Sequence, residues 1–167
     1  MAELTTGVSS GISHPISFLE SLAKANEWSF NRVDEDLIIV HFESSWRILS
    51  ITVSLSHFDK ALKLTCSFDL NPRKGRELML YQLINQINQK CPAGAFTIDQ
   101  SEGKVVYRNS ALLSEKSELN WKHLNYIFNE AVENCEKYYP SFQLVNFGKS
   151  APKEALDIVI SDVQGTA

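Results

Sequence analysis

ALKLTCSFDL, residues 61–70, alternates without a break. Leu62, Leu64, Cys66, Phe68 and Leu70 fall on one side, and Lys63, Thr65, Ser67 and Asp69 on the other. A period of two is the signature of a strand with one dry face and one wet face, which points to an antiparallel sheet. The stretch before it reads the same way. Over Trp46 to Leu55, Leu49, Ile51, Val53 and Leu55 alternate with Ser50, Thr52 and Ser54, and the polar loop Ser56–Lys60 joins the two as a hairpin. Further back, Trp28–Val33 and Asp36–Phe42 make two more strands around Asp34-Glu35. The run Leu37-Ile38-Ile39-Val40 is apolar throughout, which predicts cover on both faces.

Asn71-Pro72 stops the strand and starts a helix over 73–90, with Leu80, Leu83, Ile84 and Ile87 as its inner stripe. The outer face of that helix is rich in neutral amides: Gln82, Asn85, Gln86, Asn88 and Gln89. A second hairpin pairs Phe96–Asp99 with Lys104–Leu112 around Ser101-Glu102-Gly103. The longest helix runs over about 118–138, and Pro140 terminates it. Phe142–Phe147 then reads as a short extended piece, and a last helix covers Pro152–Ile160. At the other end Pro15 opens a helix carrying Ile16, Leu19, Leu22 and Ala23. Residues 1–13 are small and polar and read as a flexible tail, leaving 14–163 as one domain. The element order is α-β-β-β-β-α-β-β-α-α, an α+β fold with an antiparallel sheet flanked by helices.

Composition narrows the function classes. The 167 residues are 44% hydrophobic and 22% charged, with a net charge of -4. That balance argues against a nucleic-acid binder, which needs a basic face; Arg73, Lys74 and Arg76 are the one basic cluster. No apolar run approaches the ~20 residues of a membrane span, and no signal peptide is visible at the N-terminus. Three cysteines, Cys66, Cys91 and Cys135, lack metal-ligand spacing and read as reduced thiols in a cytoplasmic protein.

Two motifs imitate chemistry. Gly148-Lys149-Ser150 between an apolar stretch and a helix imitates a phosphate loop, but Gln143 stands where the first glycine of that loop is needed. The segment reads instead as a helix start, with Pro152 in the first turn and Glu154 near the positive end of the dipole. His41-Phe42-Glu43 matches the H-x-E of zinc deaminases without the partner P-C-x-x-C. Glu130, Glu133 and Glu136 share a helical face and read as a solvated surface rather than a cation site. No catalytic, cofactor or metal residues are expected, so the chain reads as a non-enzyme. Candidate partner-binding residues are Phe58, an aromatic in a polar loop that either anchors a partner or folds back over the core, and the amides Gln82, Asn85, Gln86 and Gln89, which could meet another subunit without burying charge.

Cys66-Ser67-Phe68-Asp69-Leu70, the strand end Ala111-Leu112-Leu113, the run Cys135-Glu136-Lys137-Tyr138-Tyr139-Pro140, Phe142-Gln143, and Gly148-Lys149-Ser150 with Pro152 and Glu154 stand in a characteristic order. In that order and spacing the chain resembles the YbjN family of bacterial proteins, labelled sensory transduction regulators. The resemblance covers most of residues 28–160. It implies a fold like that of type III secretion chaperones, which are commonly homodimers that bind extended segments of other proteins. It carries over no catalytic residue. The expectation is a cytoplasmic regulatory or chaperone-like adaptor with a protein partner, no cofactor, no nucleic acid and no membrane. The alternative is a small-ligand sensor with a pocket between sheet and helices near Trp28, Trp46 or Trp121.

Overall fold

The computed structural model describes residues 14–113, 121–148 and 150–164. The reading of residues 1–13 as a tail and the position of Lys149 lie outside the described residues. The order is α1 (Pro15–Ala25), β1 (Ser29–Arg32), β2 (Leu37–Glu43), β3 (Ile48–Ser56), β4 (Ala61–Leu70), α2 (Glu77–Asn88), β5 (Ala95–Asp99), β6 (Lys104–Leu112), α3 (Trp121–Asn146) and α4 (Pro152–Gln164). It is the α+β order read from the sequence.

The strands form one six-stranded sheet in the order β1-β2-β3-β4-β6-β5, antiparallel at every pairing. Alternation on β4 has the consequence expected of it: Leu62, Leu64, Cys66, Phe68 and Leu70 are buried, while Lys63 and Asp69 are exposed. Their neighbours in register, Val53, Ile51 and Tyr107, are buried with them, so the inner face is continuous across β3, β4 and β6. Helix α1 covers it over β1, β2 and β3, and α3 covers it over β4 and β6. Helix α4 braces α3 and α2, and its Ala155 and Leu156 join the same core. On β2 only Ile38 and Val40 are buried; Leu37 and Ile39 are half-buried. The expectation of cover on both faces of β2 is therefore corrected, because every described helix lies on the inner side.

Several boundaries also differ, among them the end of α4, which lies at Gln164 and not Ile160. Strand β3 starts at Ile48, not Trp46, because the Ser44 hydroxyl and N–H bond the Arg47 carbonyl (2.6 and 3.1 Å) and fold 44–47 into a tight turn. Helix α2 starts at Glu77, not Arg73: Gly75 sits at φ +83 inside a turn closed by the Arg76 N–H on the Arg73 carbonyl. The largest difference is α3, which runs through Pro140 to Asn146. Phe142–Phe147, expected as an extended piece, is helical through Asn146.

A proline inside a helix removes one i→i−4 bond and crowds the carbonyl four residues back. Here that carbonyl belongs to Glu136, and it accepts a hydrogen bond from the Trp46 indole N–H at 3.1 Å. The Glu136 carboxylate accepts the Ser45 N–H at 2.9 Å, so the 44–47 turn docks on the same helical turn. Beyond the proline, Phe142 and Val145 are fully buried, and Phe142 packs 5.5 Å from Phe68 and 5.2 Å from Phe96 between ring centroids. Burial of these two side chains stabilises the helix past Pro140 by about 1.5–3 kcal/mol each, more than the one lost hydrogen bond of ~1 kcal/mol.

Trp46→Phe removes the donor and leaves the Glu136 carbonyl to water. It is expected to lower the unfolding free energy by about 1 kcal/mol, read from the urea midpoint. In a Pro140→Ala background the loss should shrink, since the new backbone N–H takes the carbonyl; equal losses in both backgrounds would show that the indole bond carries no weight.

Candidate functional site

The motifs that imitate catalysis have different surroundings in the structure. Gly148 follows the end of α3, and a Cβ there would overlap the Leu144 carbonyl oxygen. Its own carbonyl accepts from the Arg76 guanidinium at 3.0 Å. Glycine is required here for close approach to a helix end. The Ala151 N–H reaches the Glu154 carboxylate (3.4 Å), consistent with a helix start. His41 and Glu43 both lie exposed on the outer side of β2, with His41 in register between Ser29 and Ser50. Of the three glutamates on α3, Glu130 is bonded by the Asn134 amide at 3.2 Å and Glu136 by Ser45, while Glu133 is exposed. Among the described residues no group of three histidine, cysteine or acidic side chains could hold a metal ion.

The cysteines gather where α3 meets the sheet. Cys66 and Cys135 are fully buried. Burial pushes the Cys135 thiol well up, and the Cys66 thiol beside it adds to the effect. Cys91 is half-buried, its Sγ lies 3.7 Å from Asn134 Oδ1, and burial with the nearby Glu130 pushes its thiol up to about 11. A thiol becomes a nucleophile only as thiolate, which the surroundings of Cys91 and Cys135 disfavour, and Cys66 is packed in the core. Nearby, Tyr107 donates its hydroxyl to the Ala93 carbonyl, and a Cβ on Gly94 (φ +68) would overlap that hydroxyl.

Sequence reasoning missed one polar cluster. Asp36 is gripped by two imidazoles: His57 Nε2 stands 2.8 Å from Oδ2 and His14 Nε2 stands 3.3 Å from Oδ1. The three residues come from the start of α1, the β1–β2 turn and the β3–β4 turn, so no spacing rule links them. Trp28, expected to border a pocket, is packed: it stacks on Phe128 at 5.4 Å and meets Phe42 edge-on at the same distance. Trp46 is engaged with α3, and the Trp121 side chain lies outside what the structure describes.

The surface-binding candidates separate into two places. Phe58 is 97% exposed at the tip of the β3–β4 turn, pointing outward rather than over the core. Gln82, Asn85 and Gln89 are exposed on α2 and Gln86 is half-buried beside them. Helix α2 packs on α4, α3 and β5, away from the Phe58 turn, so these residues do not form one patch. The structure adds two residues to the amides. Leu78 is 70% and Tyr81 is 50% exposed, and with Gln82, Asn85 and Gln89 they occupy an arc of about 100° at 100° per residue. This stripe carries no charge. Its spacing from Leu78 (i, i+3, i+4, i+7, i+11) is visible in the sequence.

The protein-family model YbjN, described as "Putative bacterial sensory transduction regulator", matches residues 15–144. The chain belongs to the YbjN family. The match runs from the start of α1 into the last turns of α3, and so includes the whole sheet and α2. No curated protein matches the chain. No described helix of this YbjN protein is long and apolar enough to cross a membrane.

The thiol environment sets an expectation for reactivity. With Cys91 near 11, its thiolate fraction at pH 8 is about a thousandth, and the other two thiols are buried. Native-state alkylation with iodoacetamide at pH 8 should run at least tenfold slower than in urea for all three. Rapid labelling of Cys91 in the folded protein would contradict this.

Proposed function

We propose that this YbjN protein is a non-enzymatic regulatory or adaptor protein of the cytoplasm that binds another protein through the outer face of α2. The observation that carries the reading is the stripe Leu78, Tyr81, Gln82, Asn85 and Gln89: two large apolar side chains and three amides, exposed and without a charge. Charged residues are depleted at the centres of protein interfaces and tyrosine is enriched there, because removing water from a charge costs far more than removing it from a largely apolar ring. The opposite stripe of the helix, Leu80, Leu83, Ile84 and Ile87, is locked in the core. The outer face is thereby rigid before it meets anything, which lowers the entropic cost of binding.

A second copy of the chain is one partner that suits such a face. Across a two-fold axis each residue near the axis meets its own copy. Charges there would meet their like, whereas an amide both donates and accepts and so can pair with itself. The family description as a regulator agrees with a binding role, and the close approach of Gly148 to Leu144 favours a helix junction over a phosphate loop.

Asn85→Glu places a charge at the middle of the stripe without touching the core. Folding stability should stay within ~0.5 kcal/mol, while recovery of partner by the tagged chain, and any dimer seen by light scattering, should fall at least tenfold. Ser110→Glu, on the outer side of β6, should leave both unchanged. If the Asn85→Glu chain recovers partner as wild type does, the α2 face is not the binding surface.

A further inference from the structure

The two edges of the sheet are not equivalent. In an antiparallel pair every second residue aims its N–H and C=O at the neighbouring strand, and the residues between aim theirs away. Two bonds fix this phase at β1. The Val33 N–H donates to the Leu37 carbonyl at 3.0 Å, and the Leu55 N–H donates to the Asp36 carbonyl at 2.9 Å. Odd-numbered residues of β2 therefore face β1 and even-numbered ones face β3. In the observed register, Asn31 opposite Ile39 and Ser29 opposite His41 make the β1–β2 bonds. Phe30 and Arg32 are left with their N–H and C=O groups aimed outward, where no described residue bonds them.

The β5 edge is treated differently. There the Asn88 amide donates to the Phe96 carbonyl at 3.0 Å and accepts the Phe96 N–H at 2.8 Å. One side chain thus imitates a neighbouring strand, and α2 packs beside it. Ile98, in the same phase on β5, has no described backbone partner on that side, so β5 is closed at Phe96 alone; among the described residues β1 has neither of its outward residues bonded and is the more open template for pairing.

The geometry points to β1 as a strand-addition site for an extended segment of another polypeptide. Two N–H and two C=O groups alternating at about 6.8 Å are complementary to extended backbone and to no other common ligand. The side chains restrict the segment further. A residue entering opposite Phe30 shares its inner side, where Lys24 Nζ lies 5.8 Å from the Phe30 ring centroid. The Glu20 carboxylate is shared between Lys24 and Arg32 and is held below the usual carboxylate range by their hydrogen bonds, Lys24 first. Arg32 is further occupied by the Asp34 and Glu35 carbonyls and the Ser17 hydroxyl. The Lys24 side chain is 63% exposed, and its ammonium has three donors, of which Glu20 takes one. The segment that fits therefore carries an acidic side chain opposite Phe30. This surface is independent of the α2 face.

The probe is an eight-residue peptide of alternating threonine and valine with one central glutamate, followed by amide hydrogen exchange on the full chain. In the free protein the Phe30 and Arg32 amides should exchange fast, and the Ser29 and Asn31 amides, bonded to β2, slowly. The peptide should slow Phe30 and Arg32 at least tenfold; an analogue with a central proline should not. Lys24→Glu should weaken peptide binding at least fivefold, and a peptide with lysine in place of glutamate should recover the loss. Asn85→Glu should bind the peptide as wild type does, which separates this site from the α2 surface. Three outcomes would overturn the proposal: slow exchange of Phe30 and Arg32 in the free chain, no protection at millimolar peptide, or protection confined to α2 or β5.

Discussion

Pro140 leaves the Glu136 carbonyl without its i+4 donor, and Trp46 supplies one from the β2–β3 turn. That bond sits where the covered side of the sheet is assembled. Upstream of it, α3 lays Leu124, Ile127, Phe128 and Ala131 on the sheet; downstream it delivers Tyr138, Phe142 and Val145 to the aromatic cluster around Phe68 and Phe96. The same extension brings Asn146 to the β4–α2 connection, where its side chain accepts the Arg73 N–H at 2.8 Å and donates to the Asn71 carbonyl at 2.9 Å. A helix ending at Pro140 would leave that connection unanchored and α4 without its seat on α3. The tight turn at 44–47 is thus more than a hairpin: Ser45 and Trp46 tie one end of the sheet to the helix that covers it.

The sheet was legible in the sequence because its signal is local. Alternation with polar partners marks β4 to its terminal residues, and a wet outer side makes the alternation clean. The helix past Pro140 was hidden by a correct local rule. Proline ends helices when nothing else takes the freed carbonyl, and the donor here lies ninety residues earlier in the chain. A second signal pointed the other way: Ala131, Cys135, Tyr138, Phe142 and Val145 step by four, three, four and three, an apolar stripe that crosses the proline without a change of phase. Periodicity carries the burial of several side chains, and the proline carries one hydrogen bond. The larger sum decides.

The candidate surfaces follow the same division. The amides of α2 could be read as an uncharged outer face from helical spacing alone, since orientation on a helix depends only on sequence separation. Leu78 and Tyr81 fall on that face by the same spacing, although only the amides were singled out from the sequence. Phe58 could not be placed from sequence because its direction depends on the shape of a turn. The grip of His14 and His57 on Asp36 was out of reach for a different reason: it joins three connections that only the finished topology brings together.

Helix α2 links these levels. One side of it fills the core with Leu80, Leu83 and Ile87, its last turn closes the β5 edge through Asn88, and its remaining side is the uncharged stripe. A position such as Asn85 thus has only the solvent face to satisfy, while Asn88, a single turn away by spacing, is committed to the backbone of Phe96. Two asparagines three residues apart carry opposite consequences. Replacing the first changes a surface; replacing the second reopens a sheet edge and strands a buried backbone pair, at a cost of about 1–3 kcal/mol for the unsatisfied groups. The amide richness of this helix is therefore not one feature but two, an exposed face and a cap on the Phe96 backbone, and the two asparagines lie about 60° apart, the angle between positions three residues apart on a helix.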